Sequence, residues 1–282
     1  MLNRLISNII KSPIELFLVI TGNYLKYASV TILSVLENVS RRVNITILCT
    51  DVSDEDKYML GSMVAKFNAS VEFMIISDEQ WDLLCGAKIS QFSTVGKPIG
   101  YVRFLIPHIC KSKKALYMDT DTVVVGDISP LWKTNFRQNG KEHAFAAARG
   151  GAWKEGNLQL GLPENHMHIN SGVLLFNCAK WSKDKMFDQL MDIAKRTHYD
   201  LIAHDDQCTI NIWGFQNGGQ AEFGYEYNSI VSAWVPDNFK ILHYIGARPW
   251  CDPHCKYLDE WWNVARCTPY YEKLRREVPE KK

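Results

Sequence analysis

Long apolar runs are missing from this 282-residue sequence. No stretch of about 18 consecutive apolar residues appears, so we expect no transmembrane helix. The first residues also lack an apolar core followed by a small-residue cleavage site, so we expect no signal peptide. These absences favour a cytoplasmic protein, and they leave open peripheral contact with the inner face of the membrane.

An excess of charge of one sign is also absent, because 32 basic residues are balanced by 31 acidic ones and the formal net charge is +1. A molecule without a strong basic field has no general attraction to nucleic acid, so we predict no nucleic-acid partner. Internal repeats and low-complexity linkers are missing too. The chain therefore indicates one main domain rather than an array.

The cysteines lack the spacing of a disulfide framework. Eight are scattered along the chain, several inside apolar segments, which is typical of buried thiols in a reducing compartment. Cys251, His254 and Cys255, with Cys267 downstream, form a cluster that fits no strong zinc pattern. We expect a turn with packed thiols there.

Apolar runs alternate with helical patterns through most of the chain, which predicts an α/β fold with a mostly parallel central sheet flanked by helices. Ser53 and Ser77 each open a sequence typical of a capped helix start. The predicted strands cover residues 15–21, 43–49, 71–76, 115–118, 144–148, 169–176 and the run that begins at 241. The predicted helices cover residues 24–37, 53–67, 100–110 and 181–196, with a loop over residues 150–167.

The two ends differ in character from the predicted central domain of residues 13–256. Residues 1–12 predict an amphipathic helix, docked on the body or resting on a membrane surface. The extension of residues 257–282 mixes aromatic and basic side chains. That mixture suits contact with an anionic membrane, and a packed terminal helix with a solvated charged end is the alternative.

Two carboxylates follow the apolar run of residues 115–118. Asp119 and Asp121 are one residue apart, so in extended backbone both side chains can face one point. Two carboxylates at the carboxyl end of a buried strand suit a hard cation such as Mg²⁺ or Mn²⁺, and open α/β sheets bind ligands at that edge. A loop with two solvated aspartates is the alternative.

His243 lies on another apolar strand, ahead of a Gly-x-Arg-Pro-Trp turn. In that turn Gly246 allows close approach of the backbone to a ligand, and Arg248 offers a planar fork for phosphate oxygens. A carboxylate pair with one imidazole leaves coordination positions for two phosphate oxygens. Together these residues indicate a site for a metal-bound nucleotide diphosphate. Without the neighbouring turn, His243 would be predicted to be an ordinary buried core residue.

Four motifs in order resemble those of glycosyltransferase family 8, the group of glycogenin and the bacterial lipopolysaccharide galactosyl- and glucosyltransferases. They are Asp119-Thr-Asp121 with Ile128-Ser-Pro-Leu-Trp132, the run from Asn170 to Asn177, Asp206-Gln207, and the run from His243 to Trp250. The resemblance covers about residues 15–250. It implies a GT-A fold, a UDP-sugar donor, Mn²⁺ or Mg²⁺, and transfer with retention of anomeric configuration.

The resemblance also implies roles for individual residues. Asp119, Asp121 and His243 would ligate the metal, and Asp206 and Gln207 would lie beside the reacting carbon as the catalytic pair. Asp206 could instead simply cap the following helix. The predicted donor-binding residues are Thr21, Asn23, Tyr24, Arg103, Asp119, Thr120, Asn170, Gly246 and Arg248, with Tyr24 stacking on uracil and Asn170 touching sugar hydroxyls.

The sequence departs from the family pattern at three positions. Arg248 stands where lysine is usual, Cys208 where an acidic residue is common, and residues 146–150 lack an aspartate that many members carry. The donor sugar and the acceptor are therefore left open. The predicted function is transfer of a hexose, galactose or glucose, from a UDP-sugar to a saccharide or glycolipid acceptor, in lipopolysaccharide or surface-glycan synthesis.

Two other functions are compatible with parts of the sequence. Asp119-Thr-Asp121 also matches the start of a haloacid-dehalogenase-like phosphohydrolase motif, in which the first aspartate attacks phosphate. That motif normally follows the first strand, whereas here three predicted strands precede the strand that leads into Asp119. A silent sugar-nucleotide or glycan-binding protein is the other alternative, although such a protein has no need of a metal site.

Overall fold

The computed structural model describes residues 12–87, 97–196 and 205–277 of the chain. The helix predicted for residues 1–12 therefore lies, except for its last residue, outside the described residues. The strands are β1 Ile14–Ile20, β2 Val43–Cys49, β3 Ala69–Ile75, β4 Lys114–Met118, β5 Thr122–Val124, β6 Arg137–Gln138, β7 Lys141–Glu142, β8 Phe145–Ala152, β9 Met167–Asn177, β10 Ala221–Phe223, β11 Ser229–Ile230 and β12 Ile241–His243.

Helices connect most of these strands. They are α1 Leu25–Glu37, α2 Asp54–Val64, α3 Asp78–Leu83, α4 Ile106–Ile109, α5 Ser129–Trp132, α6 Lys154–Gln159, α7 Cys178–Lys183, α8 Met186–Lys195, α9 Asp205–Asn217, α10 Leu258–Ala265 and α11 Tyr271–Arg275, with 3-10 helices at Gly22–Tyr24, Ile99–Leu105 and Tyr225–Tyr227. The predicted caps are present: Ser53 Oγ accepts from the Asp56 N–H at 3.1 Å, and Ser77 forms a capping box with Gln80.

The main sheet has seven strands in the order β10-β8-β9-β4-β1-β2-β3. Strands β4, β1, β2 and β3 are parallel, and β10 is parallel to β8, whereas β9 is antiparallel to both of its neighbours. This confirms the predicted α/β fold with a mostly parallel central sheet flanked by helices. A smaller sheet has the order β11-β12-β5.

Both faces of the central strands β1, β2, β4 and β9 are mostly buried, which explains why apolar residues run through them without strict alternation. In β4, Leu116 and Met118 join the apolar cluster on one face, and Ala115 and Tyr117 join the cluster on the other. Successive side chains of a strand point to opposite faces, so one short run supplies both layers. All four are at most 1% exposed.

The direction of β9 determines what meets the carboxyl end of β4. Met118 pairs with Val173, so the first half of β9 lies at the same sheet edge as Asp119. The polar opening of β9, from Asn170 to Gly172, is therefore placed beside the two aspartates. Parallel topology alone would have put that segment at the opposite edge.

The predicted helix of residues 181–196 is two helices, because Lys185 between them has a left-handed backbone with φ of 53°. The predicted loop of residues 150–167 contains the end of β8 and the helix α6. The predicted helix of residues 100–110 is a 3-10 helix followed by α4, with Pro107 in the first turn of α4. Periodicity does not show such breaks, since the apolar spacing continues through them.

The C-terminal extension packs against the domain. Trp261, Trp262 and Tyr270 are at most 9% exposed and belong to the same core cluster as α1. Tyr270 Oη donates to the Asp56 carbonyl at 3.1 Å, and Tyr27 Oη donates to Glu277 at 2.7 Å. Of the two alternatives predicted for the extension, these aromatic side chains therefore follow the packed terminal helix and not the membrane-facing tail. The basic side chains of Arg266, Lys273, Arg275 and Arg276 are exposed.

Candidate active site

The two aspartates occupy the link between β4 and β5. The Asp119 N–H donates to the Gly172 carbonyl at 2.8 Å, which ties the link to β9. The Thr31 hydroxyl of α1 donates to the carbonyls of Thr120 and Thr122, at 3.1 and 2.7 Å. Hydrogen bonds from β9 and α1 therefore hold the backbone of this link, and both carboxylates line one cavity.

The smaller sheet brings His243 to the aspartates. His243 pairs with Thr122 across β12 and β5, and the Tyr244 N–H donates to the Asp121 carbonyl at 2.9 Å. His243 Nε2 lies 3.2 Å from Asp121 Oδ1 and 3.6 Å from Asp119 Oδ2. One ligand atom from each of the three residues lies within 4.8 Å of the others. The structure thus brings His243 to two aspartates that lie more than 120 positions before it in the sequence.

Two residues that the sequence analysis did not single out hold this cluster in place. A Cβ atom on Gly172 would lie 2.1 Å from His243 Cε1 and 2.8 Å from Asp119 Oδ2, so only glycine allows the approach. His243 Nδ1 is 2.9 Å from Asn228 Oδ1, which leaves Nε2 directed at the aspartates. Gly172 lies inside the quoted motif, whereas no local signal marks Asn228.

Charge in the cluster is balanced locally. Burial alone would raise the pKa of Asp121, but His243 and Arg248 lower it below its ordinary value. Burial alone would lower the pKa of His243, but Asp121 and Asp119 raise it. Two carboxylates and one imidazole suit a divalent cation of the Mg²⁺ or Mn²⁺ type. The residues present therefore fit the predicted metal.

Arg103 connects the cluster to the predicted catalytic pair. Its guanidinium lies 3.3 Å from Asp119 Oδ1 and 3.3 Å from Asp206 Oδ2, donates to the Ser171 carbonyl at 2.8 Å, and stacks 4.5 Å from the centre of the Tyr117 ring. Burial would lower the pKa of Arg103, but the two aspartates raise it above its ordinary value. The guanidinium is therefore a fixed positive charge in the wall of the cavity.

Asp206 and Gln207 lie in the first turn of α9. Asp206 is 7% exposed, and burial raises the pKa of its carboxyl to about 6, with Arg103 opposing this shift and Asp119 adding to it. Gln207 Oε1 accepts from Asn170 Nδ2 at 2.7 Å and from the Ser171 N–H at 3.3 Å. Asn170 Oδ1 in turn accepts from Asn228 Nδ2 at 2.9 Å, so amides link Gln207 to the partner of His243.

One cavity of about 620 Å³ collects most of the predicted site residues. Asn23 and Gly246 are not among its lining residues: Asn23 is exposed beside Tyr24, and Gly246 is exposed in its turn with φ of 84°. The predicted residues that do line it are Thr21, Tyr24, Arg103, Asp119, Thr120, Asp121, Asn170, Asp206, Gln207, His243 and Arg248.

Other lining residues were not singled out from the sequence. Trp153 and His168 lie in and beside the segment predicted as a loop over the site, and Ile230 belongs to β11. Their sequence surroundings are those of ordinary loop or strand residues. The pairing of β9 with β4 brings His168 to the cavity, and the pairing of β11 with β12 brings Ile230 there.

Comparison with known proteins gives a consistent match. The sequence model described as "Glycosyl transferase family 8" matches residues 15–254. Glycosyltransferase GlyA of Streptococcus pneumoniae is 26% identical over 79% of this chain and 30% of its own length. A lipopolysaccharide 1,3-galactosyltransferase of Salmonella typhimurium is 25% identical over 82% of this chain and 71% of its own length.

A solved structure shares the fold. The galactosyltransferase LgtC, crystallised with donor and acceptor sugar analogues, superposes with a TM-score of 0.77 at 18% identity, over 94% of this chain and 100% of its own. The first three curated relatives are longer proteins, of which the matches cover between 25% and 55%. No helix among residues 12–87, 97–196 and 205–277 is long and apolar enough to cross a membrane.

Proposed function

Because the chain belongs to glycosyltransferase family 8 and has the GT-A fold, we propose that it is a retaining hexosyltransferase. It transfers galactose or glucose from a UDP-sugar to a saccharide or glycolipid acceptor, with Mn²⁺ or Mg²⁺ as cofactor. Similarity to the Salmonella galactosyltransferase and to lipopolysaccharide glucosyltransferase WaaO of Escherichia coli supports a role in surface-glycan synthesis.

The observation that carries the proposal is the cluster of Asp119, Asp121 and His243 between two arginines. Arg248 Nε lies 3.6 Å from Asp121 Oδ2, and the Arg103 guanidinium lies 3.3 Å from Asp119 Oδ1. UDP leaves readily only when the charge developing on its β-phosphate is stabilised. A divalent ion held by the cluster would act as a Lewis acid and stabilise the charge that develops on the β-phosphate. Arg103 and Arg248 add fixed positive charge beside the cluster.

The nucleoside is assigned to the carboxyl end of β1. Thr21 and Tyr24 line the cavity there, and the Tyr24 ring is 37% exposed and packs edge-on against Tyr27 at 5.4 Å. An exposed face held by a neighbouring ring suits stacking on uracil. In the same turn, Asn23 contributes to donor binding through its backbone. Asn170 contacts the hydroxyls of the transferred sugar.

Retention at the anomeric carbon requires one of two routes. Either a nucleophile attacks from the opposite face, or the acceptor attacks from the same face within an ion pair. Asp206 is a stronger nucleophile than Gln207, but its ion pair with Arg103 lowers its nucleophilicity. We assign Asp206 instead to electrostatic stabilisation of an oxocarbenium-like carbon, because Arg103 opposes the rise that burial causes in the pKa of its carboxyl and so favours the negatively charged form.

Membrane contact remains part of the proposal through the basic side chains of the C-terminal extension. Because Trp261, Trp262 and Tyr270 are buried, such contact at the inner face of the membrane would be electrostatic. It should therefore weaken as the ionic strength rises.

The function is tested by incubating a panel of UDP-sugars with Mn²⁺ and measuring released UDP, without and with saccharide acceptors. We expect Mn²⁺-dependent release of UDP from UDP-galactose or UDP-glucose, abolished by Asp121→Ala and unchanged in the matched control Asp237→Asn, which alters an exposed aspartate outside the cavity. Phosphate released from a phosphoester would support a phosphohydrolase. Binding of UDP-sugar without turnover would support a silent binder.

A further inference from the structure

An exposed aromatic pair lies outside the cavity that the proposed reaction uses. Trp234 has 64% of its surface exposed, although tryptophan is usually well buried. Its ring is stacked on that of Tyr225, with centroids 5.6 Å apart and planes at 11°. We call Tyr225 and Trp234 the aromatic platform.

The platform is held by the elements around it. Tyr225 Oη accepts a hydrogen bond from the Ile230 N–H at 3.3 Å, and the Ala233 N–H donates to the Ile230 carbonyl at 3.0 Å. Val235, the residue after Trp234, packs against the main core. These contacts hold the backbone on either side of Trp234, and stacking on Tyr225 restricts the Trp234 ring, which reduces the conformational entropy lost when a ligand binds its outer face.

The same residue that anchors the platform also lines the cavity. Ile230 pairs with His243 in the smaller sheet, and the Val231 N–H donates to the His243 carbonyl at 3.0 Å. Trp234 follows Ile230 by four residues and is not among the residues that line the cavity, so the platform adjoins the cavity without being part of it. A saccharide that reaches both the cavity and the platform must therefore be longer than a single sugar ring.

We propose that the aromatic platform is a subsite for a pyranose ring of the acceptor, distant from the hydroxyl that receives the hexose. This inference rests on the proposed transferase function. One face of a pyranose carries several C–H groups with partial positive charge, which are attracted to the negative face of an aromatic ring. The ring hydroxyls remain free to contact water at its edge. A platform of two rings is too small for a stable protein interface, which needs about 800 Å² on each partner.

The direct test is binding, because it does not require turnover. The full chain is labelled with 5-fluorotryptophan, and the ¹⁹F resonance of Trp234 is assigned as the one missing from Trp234→Phe. The probes are lactose, maltotetraose, cellotetraose and chitotetraose. We expect at least one tetrasaccharide to shift the Trp234 resonance more strongly than lactose does. If none of the four shifts it, the subsite is refuted.

Kinetics then connects the subsite to the reaction. With the saccharide that supports transfer, Trp234→Ala should raise the acceptor KM about tenfold and leave kcat and acceptor-free release of UDP unchanged. Trp234→Phe should restore most of the affinity. Tyr58→Ala removes another exposed aromatic ring, 76% exposed on α2, and should change nothing. An unchanged acceptor KM in Trp234→Ala would contradict the proposal.

Failure of the subsite and failure of the transferase function are distinguishable. If no UDP-sugar is turned over but tetrasaccharides still shift the Trp234 resonance, the saccharide platform stands and the transferase does not. If UDP is released normally while Trp234 responds to no saccharide, the transferase stands and the platform does not.

Discussion

At the scale of single residues, the site depends on close approaches that only particular side chains permit. Gly172 lies under the imidazole of His243, and Asn228 fixes which nitrogen of that ring faces the aspartates. Arg103 holds Asp119 and Asp206 in one charge network. The cluster of Asp119, Asp121 and His243 was predictable from the motifs. The residues that orient these three side chains were not, because their contacts exist only in three dimensions.

Gly172→Ala should damage metal binding. The new methyl group would meet His243 and Asp119 at distances far below van der Waals contact, so one of them must move. We expect Mn²⁺ affinity to fall by about 10–100-fold, as when the orientation of a ligand is lost. Isothermal titration of Mn²⁺ measures it. Gly61→Ala is the matched control, since a Cβ at Gly61 in α2 meets no atom within 4 Å. Equal Mn²⁺ affinity in Gly172→Ala would show that the glycine is dispensable.

Asp206→Asn should stabilise the metal-free protein at neutral pH. The folded state raises the pKa of Asp206 to about 6 from an ordinary value of 3.8, so ionisation opposes folding and its cost develops as the pH rises from about 4 to above 6. We expect the variant to gain roughly 1–3 kcal/mol in free energy of unfolding at pH 8 and nothing below pH 4. Denaturant titrations at several pH values measure this. A loss of stability at pH 8 would mean that the ion pair with Arg103 outweighs the burial.

At the scale of elements, the smaller sheet of β11, β12 and β5 does most to assemble the site. It pairs the strand that follows Asp121 with the strand that ends in His243, and it carries Ile230 to the cavity. The parallel strands of the main sheet and the two serine caps were predictable, since apolar runs and capping residues act locally. These three strands have two or three residues each, and their pairing depends on contacts distant in sequence.

Lys185→Gly should stabilise the protein slightly. Lys185 separates α7 from α8 with φ of 53° and ψ of 43°, a left-handed conformation that costs a side-chain-bearing residue energy. Glycine adopts it without that strain, and we expect a gain of about 0.5–1 kcal/mol in the free energy of unfolding. Urea unfolding followed by circular dichroism is suitable. A loss of stability would show that Lys185 contributes contacts worth more than the strain.

At the scale of the whole molecule, the C-terminal extension is part of the fold and connects to the part of the cavity that Tyr24 lines. A continuous series of ring contacts runs from Tyr24 through Tyr27, Trp250 and Trp261 to Trp262. Sequence composition alone could not separate a membrane-facing tail from a packed one, because both use aromatic and basic residues. The pairing of Tyr27 with Glu277 joins positions 250 residues apart.

Trp261→Ala should destabilise the protein strongly. The Trp261 side chain is fully buried between Trp250 and Trp262, so its removal leaves a large cavity. The expected loss is about 3–5 kcal/mol of the free energy of unfolding. Trp234→Ala, at the exposed platform, should lose less than about 0.5 kcal/mol and serves as the control. Comparable unfolding curves for the two variants would mean that the extension does not pack on the domain.

We propose above all that one divalent ion, held by Asp119, Asp121 and His243, binds the pyrophosphate of a sugar nucleotide. Pulsed electron paramagnetic resonance of the protein with Mn²⁺ and UDP tests it most directly, because nuclei bound close to the ion couple to its electron spin. We expect one Mn²⁺ species that couples both to an imidazole nitrogen and to phosphorus, with the nitrogen coupling lost in His243→Ala. A bound ion that shows phosphorus but no imidazole coupling in the unaltered protein would contradict the claim.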